Sequence, residues 1–230
     1  MNEWVLQSDY FALGLSLVTY SIGMAIRKRF PCALCNPLLL SIVMSMAALA
    51  VLRIDYANYA VGAKHLSVLL TPATVCLAVG LYEQIELLRR HWRVLLGGIL
   101  AGTLTSALCI FVLCRMLELG HSLYITLLPK SVTTAIGMGI SEELGGYTAI
   151  TVASIVVTGI FGNMFAPQLC RFFRLRHPAA RGIAIGTAAH AVGTAKACEM
   201  GEVEGAMSSL ALVIAGLLTV VLAPMAAGWL

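Results

Sequence analysis

The chain has 230 residues, 60% of them hydrophobic and 11% charged, with a mean hydropathy of +0.91; this balance excludes a soluble domain and describes a helical membrane protein of several crossings. The net charge of +4 is modest, and the basic residues sit beside apolar runs, where they act as orientation signals rather than as a nucleic-acid surface. Seven cysteines, an odd number, fall mostly inside apolar runs, where a thiol packs as a small hydrophobe.

The uncharged runs, in chain order, are 10–26, 30–52, 65–82, 94–114, 119–129, 131–141, 144–170, 182–195 and 205–230. A crossing helix needs roughly 20 apolar residues. The two runs flanking Lys130 and the run around His190 are too short or too polar for ordinary spans. The expected architecture is therefore all-α: a single transmembrane domain over 1–230, with six full crossings and two broken or re-entrant helices around Pro129 and His190. The first run follows Glu3 and Asp9 and ends in Arg27-Lys28-Arg29, the pattern of a retained first helix rather than a cleaved leader. Cys32-Ala33-Leu34-Cys35 has redox or metal spacing, but without a second ligand pair it reads as structural. No metal or cofactor is indicated, and no catalytic triad or phosphate loop is present, so the chain is not expected to be an enzyme.

Basic clusters at Arg27-Lys28-Arg29, Arg89-Arg90-His91-Trp92-Arg93 and residues 171–181 belong in the cytoplasm by the positive-inside rule. With them inside, both termini lie outside, and the run 94–114 carries the chain out. For 144–170 to end at the third cluster, residues 119–143 must leave and re-enter on one face, which makes Pro129-Lys130-Ser131 the tip of a re-entrant segment.

That tip holds the sharpest candidate site. Lys130, with Ser131, Thr133 and Thr134, offers an ammonium and hydroxyls to a small carboxylate in a partly dry place. The bland alternatives are a snorkelling lysine paired with Glu142 or Glu143 and hydroxyls bonded back to helix carbonyls. A second constellation is His190, Thr194 and Lys196, followed by Glu199. His190 and Thr194 share a helical face, while Lys196 and Glu199 have pairing spacing. A histidine there takes up a coupled proton or donates to the anion, or simply packs beside Ala189 and Gly193. Glu199, Glu202 and Glu204 read as a solvated turn, Gly145-Gly146 as a turn, and Gly159 with Gly162 as a close-packing face.

A shift of 57 positions aligns Pro72 with Pro129, Thr74 with Ser131, Val75 with Val132, Gly80 with Gly137 and Gly102 with Gly159. Repeated broken helices build the substrate sites of many secondary transporters. Thr74 therefore joins the candidate binding residues. Pro72, Pro129, Gly137, Gly186 and Gly193 are candidate hinges. Charge parity makes residues 66–88 a full crossing and the second copy re-entrant, so the two copies conflict in direction.

Residues 129–146 and the stretch from Gly182 to Ala197, with Pro72-Ala73-Thr74-Val75 and residues 205–211, resemble the LrgB/CidB family. The chain departs from the family pattern at Ala135 and Gly80, where proline is usual. The resemblance implies a multi-pass protein of the bacterial inner membrane, working with a small LrgA/CidA-type partner; a homo-oligomer is a further expectation. It implies either transport of small monocarboxylates such as pyruvate, glycolate, glycerate or lactate, or holin/antiholin-like control of murein hydrolases and lysis. A lysine–hydroxyl site with hinges favours a carrier of a small anionic metabolite, and His190 makes proton coupling an expectation.

Overall fold

The computed structural model describes residues 10–30, 35–69, 72, 75, 76, 79, 82 and 85–230, and every regular element among them is helical. They fall into two compact units, Met1–Cys76 and Leu77–Leu230.

The first unit contains α1 (Phe11–Arg29), α2 (Pro37–Leu52) and α3 (Tyr56–Val68). Arg27, Lys28 and Arg29 close α1, where cations meet the negative end of the helix dipole. Asn36 caps α2 by accepting the N–H of Leu38 at 2.9 Å, with Pro37 at the first turn, a position that needs no proline N–H. Hydroxyls join these helices: Thr19 Oγ1 lies 3.0 Å from both Ser41 and Ser45, and Ser16 lies 2.7 Å from the Tyr59 hydroxyl. Pro72 is exposed and helical, while Thr74, Ala78 and Gly80 lie outside the described residues, as does Cys32. The first copy of the 57-residue alignment thus falls largely outside them.

The second unit contains α4 (Ile85–Met116), α5 (His121–Leu127), α6 (Thr134–Leu144), α7 (Thr148–Phe172), α8 (Pro178–Met200) and α9 (Glu202–Ala227). Three of its stretches, Trp92–Met116, Thr148–Phe172 and Glu202–Ala227, are long and apolar enough to cross a membrane.

The chain reverses twice between these long helices. After α5, single turns continue through Val132, with Lys130 N–H donating to Leu127 O at 3.1 Å and Val132 N–H to Pro129 O at 3.3 Å. Then α6 returns. The Thr151 hydroxyl bonds both the Thr126 carbonyl (3.0 Å) and Ser141 Oγ (2.7 Å), and the Tyr147 N–H donates to Thr126 Oγ1 at 2.9 Å. A straight helix would hold residues 126 and 147 roughly 30 Å apart, so α5 and α6 are the limbs of a hairpin with its tip at residues 128–133. Gly145, at φ 82° in the left-handed region, ends α6, and Gly146 N–H returns to Ser141 O at 2.7 Å. This is a glycine-dependent helix stop.

The second reversal lies inside α8, at Ala189 (φ −131°, ψ 17°) and His190 (φ 41°, ψ −144°). Before the break, Gly182 rests on Glu204 and Met207 and Gly186 on Ser208 and Ala211, so this limb runs parallel to α9. After it, Thr194 bonds Ser208 at 2.9 Å and Cys198 abuts Gly205, so the return limb runs antiparallel. The break falls between Gly186 and Gly193, which pack closely against α9 and Ile185 respectively.

The first hairpin is rooted where α7 begins and the second where α7 ends. They therefore enter from opposite ends of a helix about 36 Å long, and their tips meet midway along it. Ile155 marks the level: its side chain faces Gly137 of the first hairpin, and its carbonyl is 2.9 Å from His190 Nε2 of the second. Two apolar clusters flank this level. Leu95, Ile99, Ile183, Met207 and Leu210 pack at the root of the second hairpin, and Ile110, Tyr124, Ile125, Leu128 and Ile140 at the root of the first. The starts of α4 and α8, each beside a basic cluster, thus lie at the same end of the unit.

Candidate functional site

Between the two apolar clusters lies a polar layer built by the hairpin tips. Tight turns over 128–132 present Lys130 and Ser131, and Pro129 has no N–H to leave unsatisfied there. Lys130 Nζ donates to Ser131 Oγ at 3.2 Å, and Ser131 Oγ lies 2.9 Å from Ser106 Oγ of α4. Thr133 stands at the N-cap of α6 without a side-chain cap bond, and Thr134 is its first residue. The first N–H groups of α6 and the positive end of its dipole are therefore presented at the tip.

Lys130 stands where two open clefts meet. One, of ≈ 630 Å³, runs between α4 and the first limb of α8 past Gly98, Gly102, Ser106 and Thr187. The other, of ≈ 670 Å³, runs along α7 past Thr158, Phe161 and Phe165 to Ala189. Their far ends, at Val94 and Ala180 in one and Leu169 and Phe172 in the other, lie toward the root of the second hairpin. On the opposite side the layer is closed by Tyr124, whose hydroxyl donates to the Ala226 carbonyl at 2.8 Å, and by Phe111 set edge-on between Tyr124 and Trp229. Both clefts extend from Lys130 toward the end that carries the basic clusters of residues 89–93 and 171–181.

No carboxylate partners Lys130 among the described residues. Glu142 and Glu143 are exposed near the other end of α6, so the paired-lysine alternative is not what the chain builds. The second constellation is differently employed. His190 is 4% exposed, and its Nε2 donates to the Ile155 carbonyl, because a carbonyl can only accept. Its ring lies on Gly159, where a Cβ would stand 2.7 Å from Cε1. Asn163 Nδ2 holds the Val192 carbonyl at 2.9 Å. Thr194 donates to His190 O at 2.9 Å, and Lys196 pairs with Glu199 at 2.6 Å. Lys130 and Ser131 are thus brought together with the tip of the second hairpin, whereas Lys196 lines neither cleft. Gly137 serves close packing against Ile155. No group of three or more His, Cys, Asp or Glu side chains suited to a metal occurs among the described residues.

Ser106 and Thr187, which complete the polar layer, lie inside an apolar run and a small-residue run that give them no distinguishing signal. Only their interval to each other through the fold makes them part of a site.

The LrgB-like family model matches residues 16–229. Curated relatives named "Antiholin-like protein LrgB" from Bacillus cereus and Bacillus anthracis are each 36% identical over 219 residues, covering 95% of this chain and 95% of the relative. No solved structure matches the chain.

Proposed function

The chain belongs to the LrgB-like family, and from that premise and the geometry of the hairpin tips we propose that it is a carrier of small monocarboxylates of the pyruvate, glycolate, glycerate and lactate class. The observation that carries this reading is Lys130, an ammonium at a hairpin tip that opens on two clefts and bonds only Ser131 among the described residues. A lone ammonium at membrane depth costs several kcal/mol, and a substrate carboxylate bonded by Lys130, Ser131 and Ser106 offsets that cost. One cation suits one carboxylate. Two tips inserted from opposite ends, with access from one end and aromatic closure at the other, suit alternating exposure of the site by movement of one hairpin.

In this reading the chain acts in the bacterial inner membrane, is no enzyme, and operates with an LrgA/CidA-type membrane protein or as a homo-oligomer. It has six crossings and both termini outside. The interval of 57 positions also separates Thr133 from His190, Gly159 from Gly216 and Pro167 from Pro224, which supports reading each hairpin with its following long helix as one inverted unit.

A second reading rests on the relatives' name: antiholin-like control of murein hydrolases and lysis. Uptake of labelled pyruvate, glycolate and lactate into proteoliposomes, with and without an LrgA-type partner, separates the two. A carrier saturates and excludes uncharged solutes of similar size. A pore passes both without saturation.

A further inference from the structure

We infer that a small cavity behind the first hairpin tip is a site for a monovalent cation of sodium's size, filled together with the substrate anion; this rests on the carrier reading above. The cavity lies among α4, the 128–133 tip, the first limb of α8 and α9, and its volume is ≈ 20 Å³. That is room for one guest about the size of a water molecule.

Five hydroxyl-bearing residues, Thr103, Ser106, Ser131, Thr187 and Thr219, line the cavity together with aliphatic side chains that make up most of its surface. Three of these hydroxyls have spent their only proton on their own helices. Thr103 donates to Ile99 O at 2.9 Å, Thr187 to Ile183 O at 2.8 Å and Thr219 to Ala215 O at 2.7 Å. Each then offers lone pairs alone. One further proton lies between Ser106 and Ser131 at 2.9 Å, and Ser131 also accepts from Lys130. Five oxygens are left with one free hydroxyl proton among them. Such a wall suits a guest that accepts electron pairs from several oxygens at once. Oxygen ligands select a hard cation, and among the described residues no carboxylate lines the wall, which selects a single charge.

The neighbouring Lys130 ammonium repels a cation while the site in front is empty, and a carboxylate bound there cancels that repulsion. Cation and anion therefore favour each other's binding. Because the five oxygens come from four elements, the cation also ties the first hairpin tip to α4, α8 and α9.

The test is calorimetric binding of pyruvate to the purified full-length chain in sodium chloride and in N-methylglucamine chloride of equal ionic strength. Pyruvate is expected to bind about tenfold more tightly with sodium, a usual size for coupling between two sites. Thr219→Val removes one oxygen on the wall contributed by α9, and it is expected to erase the sodium effect while leaving the sodium-free affinity close to that of the unaltered chain. Thr219→Ser restores the effect, and Thr103→Val serves as a second erasing variant should Thr219→Val fold poorly. Equal pyruvate affinity in the two salts overturns the cation site and leaves the carrier reading standing. No binding of pyruvate, glycolate or lactate in either salt overturns the carrier reading and this inference with it.

Discussion

Lys130 and His190 carry the same sequence signal, a polar side chain in a run too apolar to excuse it, yet the fold uses them differently. Lys130 faces two clefts with a serine as its bonded neighbour. His190 is a pin: its ring is packed on Gly159 and bonded to the Ile155 carbonyl, which fixes the second tip to α7. Ser106→Ala, which removes a hydroxyl from the carboxylate site, is expected to weaken substrate binding about tenfold, the worth of one hydrogen bond to a charged group; transport kinetics across substrate concentration measure it. For His190 the discriminating pair is His190→Gln, whose amide still donates to Ile155, and His190→Ala, which cannot. Uptake with an unaltered pH profile is expected in the first and loss of uptake in the second. A flattened pH profile in His190→Gln would instead return His190 to the proton-carrying role its position in the sequence suggests.

At the scale of elements, the second hairpin is held by glycines where its backbone touches α9. A Cβ on Gly186 would meet the Ser208 carbonyl and Ala211, whereas one on Gly139 of α6 meets nothing within 4 Å. Gly186→Ala is expected to lower unfolding stability in detergent by about 1–3 kcal/mol through overpacking, while Gly139→Ala is neutral or slightly stabilising because helical glycine carries an entropic cost. Equal midpoints for the two variants would contradict the packing described. Both breaks are legible in the sequence, since proline and lysine at 129–130 and histidine among glycines and alanines at 186–193 interrupt otherwise apolar helices. Ser106, Thr103, Thr187 and Thr219 are not legible. In an apolar helix a hydroxyl bonded to its own preceding turn is ordinary, and only the approach of four separate elements turns these residues into a wall. At His190 the sequence leaves a broken and a re-entrant helix both open, and the opposite directions of the two limbs along α9 match the second.

For the whole molecule, charge placement and packing agree on which ends belong together. Leu95 and Ile99 of α4 pack with Ala179 and Ile183 of α8, so the basic clusters that precede them share one side of the unit, as the positive-inside rule requires. In a chain freed of its native cysteines, Arg89→Cys and Arg174→Cys are expected to label from the same face of a sealed vesicle and Glu118→Cys from the other. Labelling of positions 89 and 174 from opposite faces would break the topology on which the opposed hairpins rest. The carrier account itself turns on Lys130, and concentration-dependent uptake of labelled pyruvate by proteoliposomes of the unaltered chain, Lys130→Arg and Lys130→Ala tests it most directly. The expected results are saturable uptake, weak uptake from a retained charge in altered geometry, and none, with all three proteins folded to the same extent. Saturable uptake by Lys130→Ala equal to that of the unaltered chain, or unsaturable passage of pyruvate and uncharged solutes alike, would contradict it.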